Sequence, residues 1–138
     1  MRKASLLIGV CLMLALALNV WAFQSSHPEI MQSISATRTA VTENIEAGNV
    51  SDTIAGARQL QGLFESLAPI YERMNLAPAI VFVNKAAAIA DETAEAAISG
   101  NMDAAGAAHG SIGKTCGGCH GQFRGKAEDG SFMIKTGG

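Results

Sequence analysis

The chain has 138 residues, 49% hydrophobic and 16% charged, with a formal net charge of −2, enough for one domain around one core. It has no basic stripe, and its single Trp lies at position 21 in the N-terminal segment, so it lacks the charge and stacking platforms that nucleic-acid binding requires. No carboxylate pair, Ser/His/Asp set or phosphate-cradling glycine loop offers catalysis, and the chain reads as a non-enzyme.

Arg2 and Lys3 precede an apolar stretch from Leu6 to Val20, and Val20-Trp21-Ala22 supplies tolerated residues before a cleavage point. This pattern predicts an export signal over residues 1–22, cleaved after Ala22, and a periplasmic domain over 23–138. The alternative is an uncleaved anchor, since a span needs ~20 apolar residues. Ile8-Gly9-Val10 before Cys11 argues against lipidation there. Without residues 1–22 the chain keeps 8 basic and 12 acidic residues, a charge of −4, and no predicted membrane segment. Only two of its three cysteines then remain, 116 and 119, which leaves no spare thiol for a structural disulfide.

From Pro28 to Arg124 the sequence is rich in Ala, Glu, Gln, Leu and Ile and has no alternating run long enough for a strand. The composition predicts helices, and breaks fall at Gly48-Asn49, at Arg73 to Pro78 and at Gly100-Asn101. The first helix, Pro28 to Ala47, carries Met31, Ile34, Val41 and Ile45 on one face, interrupted by Arg38. The second, Asp52 to Tyr71, repeats Ile54, Leu60, Leu63, Phe64, Leu67 and Tyr71, with Pro69 kinking or ending it. The third, Pro78 to Ser99, presents Ile80, Val83, Ala87, Ala90 and Ala97. The fourth, Asp103 to Arg124, presents Ala105, Ala108, Ile112, Cys116, Cys119 and Phe123. Each is ~30 Å long. Four such helices joined by short connections predict an all-α, antiparallel up-down-up-down four-helix bundle. The many alanines and few aromatics leave room inside for something large. Glu43, Glu46, Asp91, Glu92 and Glu95 fall on the solvated faces, and His109 is expected at the surface.

Cys116-Gly117-Gly118-Cys119-His120 is a C-x-x-C-H motif, the pattern of covalent haem attachment. On a helix, residues at i and i+3 share a face, so both thiols can add to the two vinyl groups of one porphyrin, while His120 offers an imidazole to the iron. A dithiol redox site would need a βαβ surround, and a zinc site a fourth ligand that the neighbouring sequence lacks. Antiparallel packing sets the end of the fourth helix level with the start of the first. Met31 is then the best-placed thioether for the other side of the iron. His27 is a second candidate. Ile34, one turn deeper, would cap an open site if Met31 served the core instead. His109 is eleven residues before His120, ~16 Å along the axis, too far to share the iron.

The run Cys116-Gly117-Gly118-Cys119-His120-Gly121-Gln122-Phe123-Arg124 resembles the C-x-x-C-H-x-x-[Tyr/Phe]-Arg signature of class II c-type cytochromes, the cytochrome c′ family. The resemblance implies one covalent haem c in a four-helix bundle, His120 as proximal ligand and Arg124 near it. Two departures stand out: the flexible Gly117-Gly118 pair, and a tail from Gly125 to Gly138 with a turn at Asp129-Gly130 and an apolar Phe132-Met133-Ile134 that could pack back on the bundle. Family members divide on the sixth ligand. A Met on the first helix suits low-spin electron transfer, and Met31 favours this branch, with redox proteins as partners. An apolar distal residue leaves a five-coordinate iron that binds nitric oxide or carbon monoxide. The resemblance also raises homodimerisation through the first two helices, although no second apolar stripe demands it.

Overall fold

The computed structural model describes residues 26–136. The predicted export signal, residues 1–22, lies outside them. Among the described residues the fold has four long helices and one short one: α1 (His27–Glu46), α2 (Val50–Glu65), α3 (Ala68–Arg73), α4 (Ala77–Ile98) and α5 (Met102–Phe123), followed by strands β1 (Arg124–Lys126) and β2 (Phe132–Ile134). Among the described residues no helix is long and apolar enough to cross a membrane.

Local sequence explains the boundaries. Pro28 sits in the first turn of α1, where its missing N–H is no loss, and the Ser26 N–H donates to Glu29 Oε2 at 2.6 Å. The α1–α2 and α4–α5 connections share one design. Gly48 and Gly100 take positive φ values of 70° and 78°, a conformation open to glycine at little cost, and the N–H groups of Asn49 and Asn101 close back on Asn44 O and Ala96 O. Such tight turns force neighbouring helices antiparallel. The second predicted helix breaks at Ser66-Leu67, and Pro69 falls in the first turn of α3, where a proline fits and a continuous helix would not.

Each long helix packs on the one before it, and α5 returns against α1. The result is the expected all-α four-helix bundle. Val41, Leu60, Leu67 and Ile112 are fully buried at its centre, and α4 contributes Ala79, Ala86, Ala87, Ala90, Ala94 and Ala97. Small side chains along α4 let its neighbours approach closely. In α1 the buried residues are Ile30, Ile34, Thr37 and Val41. Ile30, not Met31, therefore heads the core stripe, and Met31 is only partly buried. On the solvated side, Arg58 of α2 is paired with Asp91 and Glu95 of α4.

The tail turns and packs back as expected, and does so as a short hairpin: β1 and β2 pair antiparallel with Arg124 opposite Ile134 and Lys126 opposite Phe132. Its turn is at Asp129-Gly130, where Asp129 Oδ1 accepts from the Ser131 N–H at 2.9 Å and hydroxyl at 2.6 Å. Ile134 packs back on the core.

His109, expected at the surface, is only 5% exposed. Its Nε2–H donates to the Arg38 carbonyl at 3.1 Å and lies 3.2 Å from the Thr42 hydroxyl, tying α5 to α1. Nδ1 is buried without a partner, so a second proton there would be an unsatisfied buried donor. Burial holds the His109 pKa below its ordinary 6.5. The unfolded chain therefore binds more protons below that pH, and the stabilisation present above about pH 6.5 is lost as pH falls. The urea midpoint should drop between pH 8 and pH 5, and drop less in His109→Gln; equal drops would remove His109 as the source.

Candidate haem site

At the end of the bundle holding the start of α1 and the end of α5, the packing opens into a cavity of ≈ 710 Å³. One wall is α1, with His27, Met31, Ile34 and Arg38 at helical spacing. A second wall is α5, with Thr115, Cys116, Cys119 and His120. Phe64, Leu67, Tyr71 and Phe82 fill the sides, and Ser131 to Ile134 of the hairpin form the rim together with Arg124.

The sequence motif thus arrives on one continuous helix. The Gly117-Gly118 pair does not break α5, which runs unbroken to Phe123. Packing explains one of the two glycines: a Cβ at Gly118 would come within 2.8 Å of Phe82 Cε1. Phe82 in turn meets Phe123 edge to face, ring centres 6.4 Å apart. Gly118→Ala should push Phe82 into the cavity and cost about 1–3 kcal/mol through overpacking. Thermal melting checks this, and an unchanged melting temperature would show that Phe82 gives way freely.

Cys116 and Cys119 are free thiols, the first half-buried and the second buried. Burial raises both pKa values, and for Cys119 the neighbouring Cys116 adds to the effect. Both therefore stay protonated at neutral pH, unlike the thiolates of a zinc site or a redox dithiol. Among the described residues no group of three or more His, Cys, Asp or Glu side chains converges to hold a metal ion by itself.

The imidazoles are held neutral. Burial lowers the His120 pKa, and the Arg124 charge lowers it further; a neutral imidazole is the form that ligates a metal. His27 is lowered by burial and by its proximity to His120. Its Nε2 lies 2.9 Å from the Tyr71 hydroxyl. Burial raises the Tyr71 pKa, as does nearby Cys119, so the phenol keeps its proton and can donate it to His27.

The charge of the cavity is one-sided. Among the described residues, the only Lys, Arg, Asp or Glu side chains lining it are Arg38 and Arg124, although the chain as a whole is acidic. The Arg38 Nε is buried without a hydrogen-bond partner, which is costly unless an acceptor meets it. An apolar slot of this size, within the ~300–1,000 Å³ of cofactor pockets, with two thiols, an imidazole and two guanidiniums, fits a flat, apolar macrocycle bearing two carboxylates. A family model described as cytochrome c′ matches residues 81–124, from α4 through the C-x-x-C-H motif to the first residue of β1.

This match supports a class II c-type cytochrome assignment. It supports a c-type haem protein, and the matched family implies a covalently bound haem. No similar curated protein and no similar solved structure was found. The residues that the sequence singles out around the motif come together here: His27, Met31, Ile34, Cys116, Cys119, His120 and Arg124 all line the cavity. His109 does not, and Met74 packs on the core.

Sequence reasoning missed four contributors. Arg38 had left a signal, a charge within an apolar stripe, but it was read as an interruption. Tyr71 and Phe82 looked like ordinary core residues. Met133 had no place until the hairpin folded back, and it adds a second thioether to the cavity wall.

Proposed function

We propose that this cytochrome carries electrons in the periplasm, with haem linked to Cys116 and Cys119 and its iron held by His120 and Met31. The observation that supports the reading is that Met31 of α1 and His120 of α5 line the same cavity. When bound, the haem iron supplies a one-electron couple whose potential is raised by His/Met ligation.

The chain's own residues account for the rest. Cys116 and Cys119 fix the macrocycle against α5, and neutral His120 presents its ring nitrogen. Phe64, Leu67, Phe82 and Val83 exclude water, which keeps the polarity around the iron low and constant. Arg38 and Arg124 supply the counter-charges for the two propionates, which satisfies the otherwise orphaned Arg38 Nε. His27 is a weaker competitor for the iron than Met31, because its Nε2 is engaged by Tyr71 and ligation would sacrifice that bond.

Ile34 supports the second reading. It lines the same wall and is 4% exposed, so it would cap a five-coordinate iron that binds nitric oxide or carbon monoxide if Met31 stayed off the metal. The ferrous absorption spectrum separates the two. The carrier reading expects sharp low-spin α and β bands that carbon monoxide leaves unchanged; a broad high-spin spectrum that shifts on adding the gas would establish the gas-binding reading instead.

A further inference from the structure

We propose that the C-terminal hairpin is the docking platform through which this cytochrome meets an electron-transfer protein with an acidic surface. The proposal rests on the electron-carrier reading above and goes on to name the partner's chemistry and the point of contact.

Charge along the chain is the first observation. Residues 26–123 hold ten carboxylates against five Lys or Arg, whereas residues 124–136 hold Arg124, Lys126 and Lys135 against Glu128 and Asp129. The hairpin is thus a cationic island on an acidic protein. Its two carboxylates sit together at the turn, where Asp129 is occupied by Ser131. All three cations are exposed.

Apolar exposure is the second observation. Phe132 and Met133 are 63% and 48% exposed, while both also line the cavity. A single layer of side chains therefore separates the cavity from solvent here. The Arg124 guanidinium lies 3.4 Å from the centre of the Phe132 ring and the Lys126 ammonium 5.9 Å from it. These cation–π contacts hold the ring and its charges together. Lys135 and Met133 lie beside Gly125 on the hairpin's other face, so each face sets an exposed apolar side chain beside a cation. An apolar centre with a charged rim is the anatomy of a protein interface, and its sign selects a carboxylate-rich partner.

The transfer is of one electron: the partner's reduced centre loses it and ferric iron becomes ferrous, with no bond made or broken. Oxidation of the ferrous holoprotein by small complexes tests the route. Ferricyanide, an anion, takes one electron and becomes ferrocyanide; tris(phenanthroline)cobalt(III), a cation, becomes the cobalt(II) complex. If electrons pass at the hairpin, ferricyanide oxidation slows as ionic strength rises, despite the protein's negative net charge. Lys126→Glu/Lys135→Glu should cut the ferricyanide rate at low salt about tenfold, speed the cobalt reaction and reverse both salt slopes. Polyglutamate should compete with ferricyanide, and polylysine should not.

A wild-type ferricyanide rate that climbs with salt, as net charge alone would dictate, would overturn the proposal. So would a double variant with unchanged rates, or capture by anionic phospholipid vesicles without competition from polyglutamate. Both lysines are exposed, and an unaltered absorption spectrum and circular dichroism certify the variant's fold. Failure of the electron-carrier reading registers separately, as a high-spin, gas-binding spectrum in the unmutated protein.

Discussion

Replacing Cys116 and Cys119 together by serine should yield a chain that reaches the same compartment but runs without haem on a denaturing gel. Serine matches cysteine in size, so the change removes the chemistry of attachment and little else. Without the macrocycle, the ≈ 710 Å³ cavity is left without its main packing partner, and the unmet Arg38 Nε keeps its desolvation cost. The expected loss of stability is at least ~3–5 kcal/mol, the cost of deleting one large aromatic side chain from a core. Haem staining after denaturation and thermal melting read the two effects. Haem that stayed with the denatured double variant would remove these thiols as the attachment points.

The second large effect is expected at Met31. Met31→Ala should convert a low-spin, gas-insensitive spectrum into a high-spin one that responds to carbon monoxide, and should lower the reduction potential, since the thioether favours the ferrous state. Its stability cost should be modest, about 1–2 kcal/mol, because Met31 is only partly buried. Two controls isolate ligation from packing. Ile34→Ala, at a buried position on the same wall, should cost about 2–5 kcal/mol yet leave the spectrum low-spin. Met133→Ala removes the other thioether of the cavity, which belongs to the hairpin that continues α5 and not to α1, and should also leave the spectrum unchanged. A Met31→Ala protein with the wild-type spectrum would take Met31 off the iron.

Much of this was legible in order along the chain, and where reading failed the reason is physical. Helix ends were readable because Gly48-Asn49 and Gly100-Asn101 are local devices that close on residues three and five positions back. The break near Pro69 was readable because a proline acts on its own helix. His109 was misplaced because its partners, the Arg38 carbonyl and the Thr42 hydroxyl, lie 71 and 67 residues away; nothing in its neighbourhood announces them. Arg38 looked like a defect in an apolar stripe because the cavity that explains it has walls from five helices. The strands escaped notice because three-residue strands are too short to show alternation and owe their existence to pairing.

By itself the sequence determined the cofactor chemistry, the helical class and the four-element order, since a C-x-x-C-H motif, helix periodicity and glycine turns are all encoded within a few residues of one another. Only the tertiary structure decided which groups share the cavity, that His27 is held by Tyr71, that two arginines are the charged side chains lining the site among the described residues, and that the tail returns as a cationic rim. Those depend on distances between residues far apart in the chain, which packing sets and local sequence does not.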